Sequence, residues 1–386
     1  MAIEGRDEKQ AGRIRLGMVG GGQGAFIGGV HRIAARMDDN YVLTAGAFSS
    51  DPERAKASGL ELGLSEDRCY GSYEEMARRE KRLKDGIEAV AIVTPNHLHV
   101  PIAKAFLQRG IHVICDKPLT TNLRDAKRLR DVVEKSGAIF ALTHNYSAYP
   151  MIRQAKAMVE AGDLGDVRVV QVEYAQDWLT EEVHNKQADW RTDPARSGAG
   201  GAVGDIGTHA YQLACFVSGL AVESLAAELT AFVSGRPVDD NVQVLMRFAG
   251  GARGMLWASQ VAVGNENGLK LRIYGTKGGL EWEQENPNWL WFTPFGGERR
   301  RITRNGAGAG PEAARMSRVP SGHPEGYLEC FANLYTEIAC AIRAARDGSP
   351  LDQAVAFPGI DDGIDGVAFI EACIRSSKRN AAWVTP

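Results

Sequence analysis

Ile14-Arg15-Leu16-Gly17-Met18-Val19-Gly20-Gly21-Gly22-Gln23-Gly24-Ala25-Phe26-Ile27-Gly28-Gly29-Val30-His31 decides the fold of this 386-residue chain. An apolar run passes through a glycine-rich turn into a helical pattern that ends near Met37. That order opens a dinucleotide-binding unit. Glycines permit the tight turn and let backbone approach a pyrophosphate, and the first N–H groups of the helix receive it. Gly20 and Gly22 fit the first half of G-x-G-x-x-G. Gly24-Ala25-Phe26 reads as an insertion before Ile27, and Gly28 reads as the third glycine, where helix and strand must lie close. The expected cofactor contacts here are Gly20, Gly22, Gln23, Gly24, Ala25, Phe26 and Ile27. A glycine-rich turn without a ligand is the competing reading of the stretch taken alone.

Working outward, strands and helices alternate. Tyr41–Phe48 reads as a second strand, ending roughly 20 residues after Gly28, where an acid is expected on the ribose. Ser49 stands there, followed by Ser50; Arg54 is close. Asp51 before Pro52 has the pattern of an N-cap with proline at the first helical position. Ser72-Tyr73-Glu74-Glu75 is a capping-box pattern opening a short charged helix. Ile87–Val93 reads as a buried strand leading to Thr94-Pro95-Asn96. A helix from Val100 to Arg109 follows and stops at Gly110. Ile111–Asp116 is the next strand and delivers Lys117-Pro118. A helix from Asn122 to Ser136 and a strand from Ile139 to Thr143 complete the series. Alternating strands and helices predict a parallel sheet, with ligands beyond the strand carboxyl ends. Thr94, Pro95, Asn96 and Lys117 therefore lie on the cofactor side; Asp116 and His99 are assigned with them, a helix-start or surface histidine being the competing and commoner reading of His99. A loop lysine is ordinarily a solvated charge; here Pro118 restricts the backbone and aims Lys117.

The pattern changes after His144-Asn145-Tyr146. Pro150–Ala161 reads as a helix and Val167–Gln176 as a strand, while 177–204 is irregular and holds Trp190-Arg191. A helix is expected from about Asp205. Asp205 and His209 are four apart and so share one face of its first turn. That spacing suits an N-cap aspartate with a structural histidine as well as it suits an acid–base pair. Val222–Thr293 reads as an antiparallel sheet of roughly six strands, with turns at Gly250-Gly251, Asn267-Gly268 and Lys277-Gly278-Gly279. Trp257, Trp282, Trp289 and Trp291 read as sheet core or interface. The sheet needs cover from its own helices or from a second subunit. Arg299-Arg300-Arg301 opens a glycine-rich stretch to Pro324, a solvated loop or a lid on an anionic substrate. Glu325–Arg343 and Gly359–Arg379 are helical patterns.

A net charge of −3, with 44% hydrophobic and 24% charged residues, describes an ordinary globular chain without the basic face of a nucleic-acid binder. No apolar run is long enough to span a bilayer. Residues 1–13 are charged, lack an apolar leader core and read as a loose tail, so a cytoplasmic protein is expected. Six cysteines form no C-x-x-C pair and no zinc-like spacing, so no metal is expected.

Taken together, Gly20–His31, Thr94-Pro95-Asn96, Asp116-Lys117-Pro118, Trp190-Arg191 and Asp205-x-x-x-His209 resemble the glucose–fructose oxidoreductase / inositol dehydrogenase / rhizopine-catabolism (Gfo/Idh/MocA) family. The resemblance implies an α/β chain. A doubly wound parallel Rossmann domain (14–144) would precede an α+β domain with a large, mostly antiparallel sheet (145–386) for substrate binding and oligomerisation. It implies NAD or NADP as cofactor, a small carbohydrate or cyclitol as substrate, and a homodimer or homotetramer built through that sheet. Lys117 matches the lysine of the family's Glu-Lys-Pro motif, with Asp116 replacing the glutamate. Asp205 and His209 match the catalytic aspartate and histidine. Asn145 and Tyr146 fall where members contact substrate, joined by Trp190 and Arg191. In that scheme His209 is the base, Asp205 orients it or binds a neighbouring hydroxyl, and Lys117 hydrogen-bonds the reacting oxygen. Two rivals are a redox-assisted cleavage of a glycosidic bond and a non-catalytic dinucleotide-binding regulator.

Overall fold

The computed structural model describes residues 12–386, so the expected tail lies almost wholly outside the described residues. Two compact units result. The first comprises the chain up to Thr120, Arg124–Thr143 and Phe331–Gly363; the second comprises Thr121–Leu123, His144–Cys330 and Ile364–Pro386. Residues 331–363, which the sequence reading assigns to 145–386, group with the first unit.

In the first unit, five strands lie in the order β2-β1-β3-β4-β5. They are β1 (Ile14–Gly20), β2 (Tyr41–Ala47), β3 (Ala89–Val93), β4 (His112–Cys115) and β5 (Phe140–Leu142), and every pairing is parallel. Continuous apolar runs suit strands covered on both faces; β3 is buried at every position. Full burial of Ile14 and Leu16 stabilises the sheet by roughly 1.5–3 kcal/mol each. The helices between strands are α1 (Phe26–Met37), α2 (Pro52–Glu61), α3 (Tyr73–Glu80), α4 (His99–Leu107) and α5 (Leu123–Ser136). Asp51 caps α2 by accepting the Arg54 N–H, with Pro52 opening the helix, and Ser72 caps α3 by accepting the Glu75 N–H. Each such cap is worth about 1 kcal/mol.

The second unit holds eight strands in the order β13-β12-β11-β10-β6-β9-β8-β7. They are β6 (Val167–Ala175), β7 (Val222–Thr230), β8 (Asn241–Phe248), β9 (Arg253–Ser259), β10 (Gly268–Gly275), β11 (Gly278–Glu283), β12 (Trp289–Pro294) and β13 (Arg300–Thr303). The six strands expected over Val222–Thr293 are present as β7–β12, and two further strands join them in one mixed sheet. Val167–Ala175 enters its centre and pairs with β9 in parallel, and Arg300–Thr303 extends its edge. Of the arginines read as a loop or lid, Arg300 and Arg301 are therefore strand residues, and Arg299 directly precedes the strand. Arg299, Arg300 and Arg301 lie over the rings of Trp291, Phe292 and Trp289.

The helices of this unit include α6 (Pro150–Glu160), the short α7 (Lys186–Arg191) and α8 (Pro194–Ser197), α9 (Thr208–Ser218) and α10 (Pro311–Arg315). α9 packs on β6, β9 and β10. α11 (Tyr327–Asp347) and α12 (Ile360–Ser377) each begin in one unit and end in the other. This is why no loop signal marked the division.

Candidate active site

The glycine turn forms as its composition requires. A β-carbon on Gly28 would come within 2.4 Å of the Gly21 Cα, so helix and strand meet there only because both residues are glycine. This supports Gly28 as the third glycine. The insertion is not all loop: α1 begins at Phe26, and no side chain caps it at Ala25. Its first-turn N–H groups are left for an anion, the arrangement that receives a pyrophosphate. A cavity of about 460 Å³ lies beside this turn, lined by Gly22, Gln23, Gly24, Ala25, Phe26, Arg32, Ser58, Glu61 and Leu62. Gln23 spans it, its N–H 3.2 Å from the Ser58 Oγ and its amide donating to Glu61 at 2.8 Å. Ile27 is half-buried in the first turn of α1. An uncapped helix, a close-approach glycine pair and an open polar cavity fit a dinucleotide.

At the end of β2, Ser49 Oγ accepts the Asp51 N–H at 3.2 Å, and Asp51 accepts the Arg54 N–H at 2.9 Å. Ser50 and Arg54 are exposed. At the end of β3, a β-carbon on Gly20 would meet Val93 O at 2.6 Å and Thr94 Cγ2 at 2.9 Å, so the glycine turn and Thr94 run side by side. Pro95 is half-buried and Asn96 is buried. His99 is assigned from the sequence to the cofactor side. It is fully buried, and its ring nitrogens each lie 2.9 Å from a carbonyl oxygen, those of Pro118 and Thr94. Burial pushes its pKa below the ordinary value. It ties the loop after β3 to the loop after β4 and has no surface to offer a ligand.

Lys117 follows β4 and is half-buried; the Lys117–Pro118 peptide is cis. Behind it, the Thr143 hydroxyl donates to Asp116 Oδ1 at 2.6 Å, and the Lys117 N–H points to the same oxygen at 3.3 Å. Burial opposes ionisation of Asp116, but His31, Thr143 and Lys117 outweigh it and hold the carboxyl well below the usual carboxylate range.

The second unit supplies a separate buried cluster. The expectation that Asp205 and His209 share the first turn of one α-helix is corrected: Val203–Gly207 is a π turn, and α9 begins only at Thr208. Such one-turn π insertions recur at functional sites. Asp239 anchors the turn by accepting the Gly201 N–H at 2.6 Å and the Val203 N–H at 2.8 Å. Gly201 lies so close that a β-carbon there would reach 2.0 Å from Asp239 O. Asp205 Oδ2 accepts from Gln260 at 2.9 Å and lies 3.3 Å from Arg191 Nε, whose guanidinium stacks on Trp190.

His209 is buried, with its Nδ1 3.4 Å from that of His144 and its ring 4.9 Å edge-on to Tyr146. Asn145 and Tyr146 lie on a buried 3₁₀ turn. The Tyr146 and Tyr174 hydroxyls are 2.6 Å apart, and Tyr174 donates to Asn267 Oδ1 at 2.8 Å, so Tyr146 is the donor to Tyr174. Burial pushes the Tyr146 phenol up to about 12, despite its hydrogen bonds to Tyr174 and Asn267. Near neutrality Tyr146 is a proton donor. Asn145 Nδ2 is buried without a hydrogen-bond partner.

Each unit thus gathers residues that the sequence had marked: Gly20–Ile27, Thr94–Asn96 and Asp116–Lys117 in the first, and Asn145, Tyr146, Trp190, Arg191, Asp205 and His209 in the second. His31, His144, Tyr174, Asp239, Gln260 and Asn267 were not foreseen. For His144 the one signal was an unbroken polar run, Thr143-His144-Asn145, directly after a buried strand. No metal-ligating group of three or more His, Cys, Asp or Glu side chains occurs among the described residues. No helix among them is long and apolar enough to cross a membrane.

Residues 14–144 match the oxidoreductase family with an NAD-binding Rossmann fold, and residues 152–281 match the GFO/IDH/MocA C-terminal domain. The chain is similar to an oxidoreductase from Sinorhizobium meliloti of known structure, with 61% identity over 97% of this chain and 99% of that one and a TM-score of 0.90. It is also similar to an inositol dehydrogenase homologue from Azotobacter vinelandii, solved with NADH and myo-inositol, with 36% identity, 98% and 99% coverage and a TM-score of 0.93. Levoglucosan dehydrogenase of Pseudarthrobacter phenanthrenivorans is 29% identical over 70% of this chain and 74% of that protein. The chain belongs to the GFO/IDH/MocA oxidoreductase family, and its residues 14–144 are the NAD-binding Rossmann domain of that family.

Proposed function

We propose that this protein is a nicotinamide-dependent dehydrogenase that interconverts one secondary alcohol of a sugar, sugar derivative or cyclitol with its ketone. The observation carrying this reading is the π turn into α9. It holds Asp205, clasped by Arg191 and Gln260, one turn before a buried His209 backed by His144 and Tyr146. That is a pre-organised acid–base pair among groups suited to binding hydroxyls. The inositol dehydrogenase homologue and levoglucosan dehydrogenase support the substrate class.

Bound NAD(P) supplies the hydride chemistry. The residues of the chain supply the rest. Gly20–Ile27 and the uncapped start of α1 bind the pyrophosphate, while Ser49, Ser50 and Arg54 border the adenosine ribose. Lys117 hydrogen-bonds the reacting oxygen and stabilises its alkoxide character. His209 takes the hydroxyl proton during oxidation and returns it during reduction. Asp205 binds a neighbouring hydroxyl or orients His209, Asn145 donates to a further hydroxyl, and the Tyr146 oxygen accepts from one. The test is a panel of sugars, glycosides and cyclitols assayed with each cofactor by the absorbance of the reduced nicotinamide, with product analysis. Reduction of the cofactor with formation of a ketose or inosose supports the reading. Glycoside cleavage without net cofactor reduction, or cofactor binding with no turnover of any compound, overturns it.

A further inference from the structure

His31 lies in the middle of α1, fully buried, and the mechanism above makes no use of it. Its ring packs against Phe331 at 5.1 Å and Tyr335 at 5.8 Å between centroids. Nδ1 is 2.8 Å from the Tyr335 hydroxyl. Nε2 has no hydrogen-bond partner, and Asp116 Oδ1 lies 3.8 Å from it, an ion-pair distance. The Tyr335 phenol is pushed far above its ordinary value by burial, with Asp116 adding to the shift, so it remains protonated and can donate.

These contacts select one of the two neutral forms of the ring. With its proton on Nδ1, a neutral His31 would aim the Nε2 lone pair at a carboxylate, which is repulsive. With the proton on Nε2, Tyr335 donates to Nδ1 and the Nε2–H is directed at Asp116. Both ends are then satisfied in sign. Asp116 Oδ1 in turn collects the Thr143 hydroxyl from the end of β5 and the Lys117 N–H from the end of β4. The carboxylate is the point where α1, β4 and β5 are joined, directly behind the backbone that presents Lys117.

We propose that His31 is a positioning residue. Acting through Asp116, it fixes the strand end from which Lys117 is presented, and so links the helix that receives the cofactor's pyrophosphate to the placement of the lysine. The role rests on the dehydrogenase reading for its kinetic consequence, but the link itself does not.

The link is tested without substrate or cofactor. The ¹⁵N spectrum of the imidazole ring, assigned through His31→Gln, is recorded at a pH where the ring is neutral. A proton on Nε2 supports the proposal; a proton on Nδ1 overturns it. The kinetic arm compares His31→Phe, His31→Gln, Asp116→Asn and the double variant His31→Phe/Asp116→Asn. Circular dichroism establishes folding, and calorimetry gives the cofactor Kd. Glutamine keeps an N–H with the reach of Nε2; phenylalanine keeps only the packing. His31→Phe is expected to lower kcat by up to about 10²-fold, the loss that misplacing a reacting group produces. KM and cofactor Kd should change far less, His31→Gln should recover most of the loss, and the double variant should be no worse than Asp116→Asn. Equal losses in the Phe and Gln variants, or losses that multiply in the double variant, reduce His31 to a packing residue. If the wild-type protein oxidises no alcohol, the dehydrogenase reading fails alone, and the ¹⁵N result still decides the His31–Asp116 link.

Discussion

His144 and His209 meet edge to face with their Nδ1 atoms 3.4 Å apart. A single proton bridges two such nitrogens; two protons there repel. When His209 carries the proton on Nδ1 and His144 accepts it, the lone pair of His209 is on Nε2, the form a general base requires. His144 then does for His209 what a buried carboxylate does for the histidine of a hydrolase triad. His144→Phe keeps an aromatic ring and removes the acceptor. It is expected to lower kcat by roughly 10²-fold through misorientation of the base, with a smaller change in KM. Wild-type kcat in a folded His144→Phe variant rules the role out.

Cofactor choice turns on Asp51. Its carboxylate accepts the Arg54 N–H at 2.9 Å and so serves as the cap of α2, while Ser49 occupies the position at the end of β2 where an acid would repel a 2′-phosphate. NADP is therefore expected to be used as well as NAD. Ser49→Asp should shift kcat/KM toward NAD by about tenfold or more, equivalent to roughly 1.4 kcal/mol. A near-exclusive preference for NAD in the wild type would show that Asp51 or another acid fills the missing role.

The outer face of the eight-stranded sheet carries Leu245, 52% exposed, opposite Met255, 47% exposed, with Val169, Tyr274 and Trp289 along the same face. α9 covers the other side. Exposed apolar side chains on one sheet face, set among Arg and Glu, are the basis for an expected association surface. Sedimentation velocity is expected to show a dimer or tetramer at micromolar protein, and Leu245→Glu/Met255→Glu should convert it to monomer. A monomeric wild type removes the basis for this reading.

Asp239 gives a signed pH dependence. Burial pushes its carboxyl up from 3.8 to about 6, against the hydrogen bonds from Val203 and Gly201 that favour the charged form. The folded state therefore holds this proton more tightly than the unfolded chain. The contribution to stability is complete below about 3.8 and is lost as pH rises through about 6. The loss is on the order of 3 kcal/mol. Asp239→Asn should flatten the slope of unfolding free energy against pH in that interval. Because one of the two N–H groups loses its acceptor, it should also cost about 1–3 kcal/mol. An unchanged slope means that Asp239 does not titrate there.

What could be read in the sequence and what could not divide along a physical line. Gly28, Asp51 and Ser72 were legible because each acts through residues within a few positions of itself: a close-packed turn and two helix caps. The parallel sheet followed from alternation for the same reason. Gln260 reaches Asp205 from the end of β9, Asn267 joins Tyr146 to Gln176 from the start of β10, and Tyr335 reaches His31 from a helix some 300 residues away. Nothing local announces such partners. Arg299–Arg301 misled because charge and flanking glycine suggest a loop, whereas their guanidinium groups lie over the rings of β12. The π turn misled because it inserts a residue into a spacing that was read with an α-helical period.

Lys117 and His209 are assigned different tasks in one chemical step, and kinetics can separate them. His209→Ala removes the proposed base and should lower kcat by roughly 10²–10⁴. Cofactor affinity should hardly change, since His209 belongs to the second unit and the dinucleotide cradle to the first. The acidic limb of the kcat/KM profile, which reports protonation of the base in the free enzyme, should move or vanish. Lys117→Met removes stabilisation of the reacting oxygen and should also depress kcat, but the limb assigned to His209 should survive. Residues that act as one unit are non-additive, so the double variant should be far less impaired than the product of the two losses. Tyr146 is a weak substitute as base, because burial holds its proton up to about 12 and its hydroxyl already donates to Tyr174. If His209→Ala keeps wild-type kcat and the same pH profile on the true substrate, the base assignment is wrong, and Lys117 becomes the next group to test for that role.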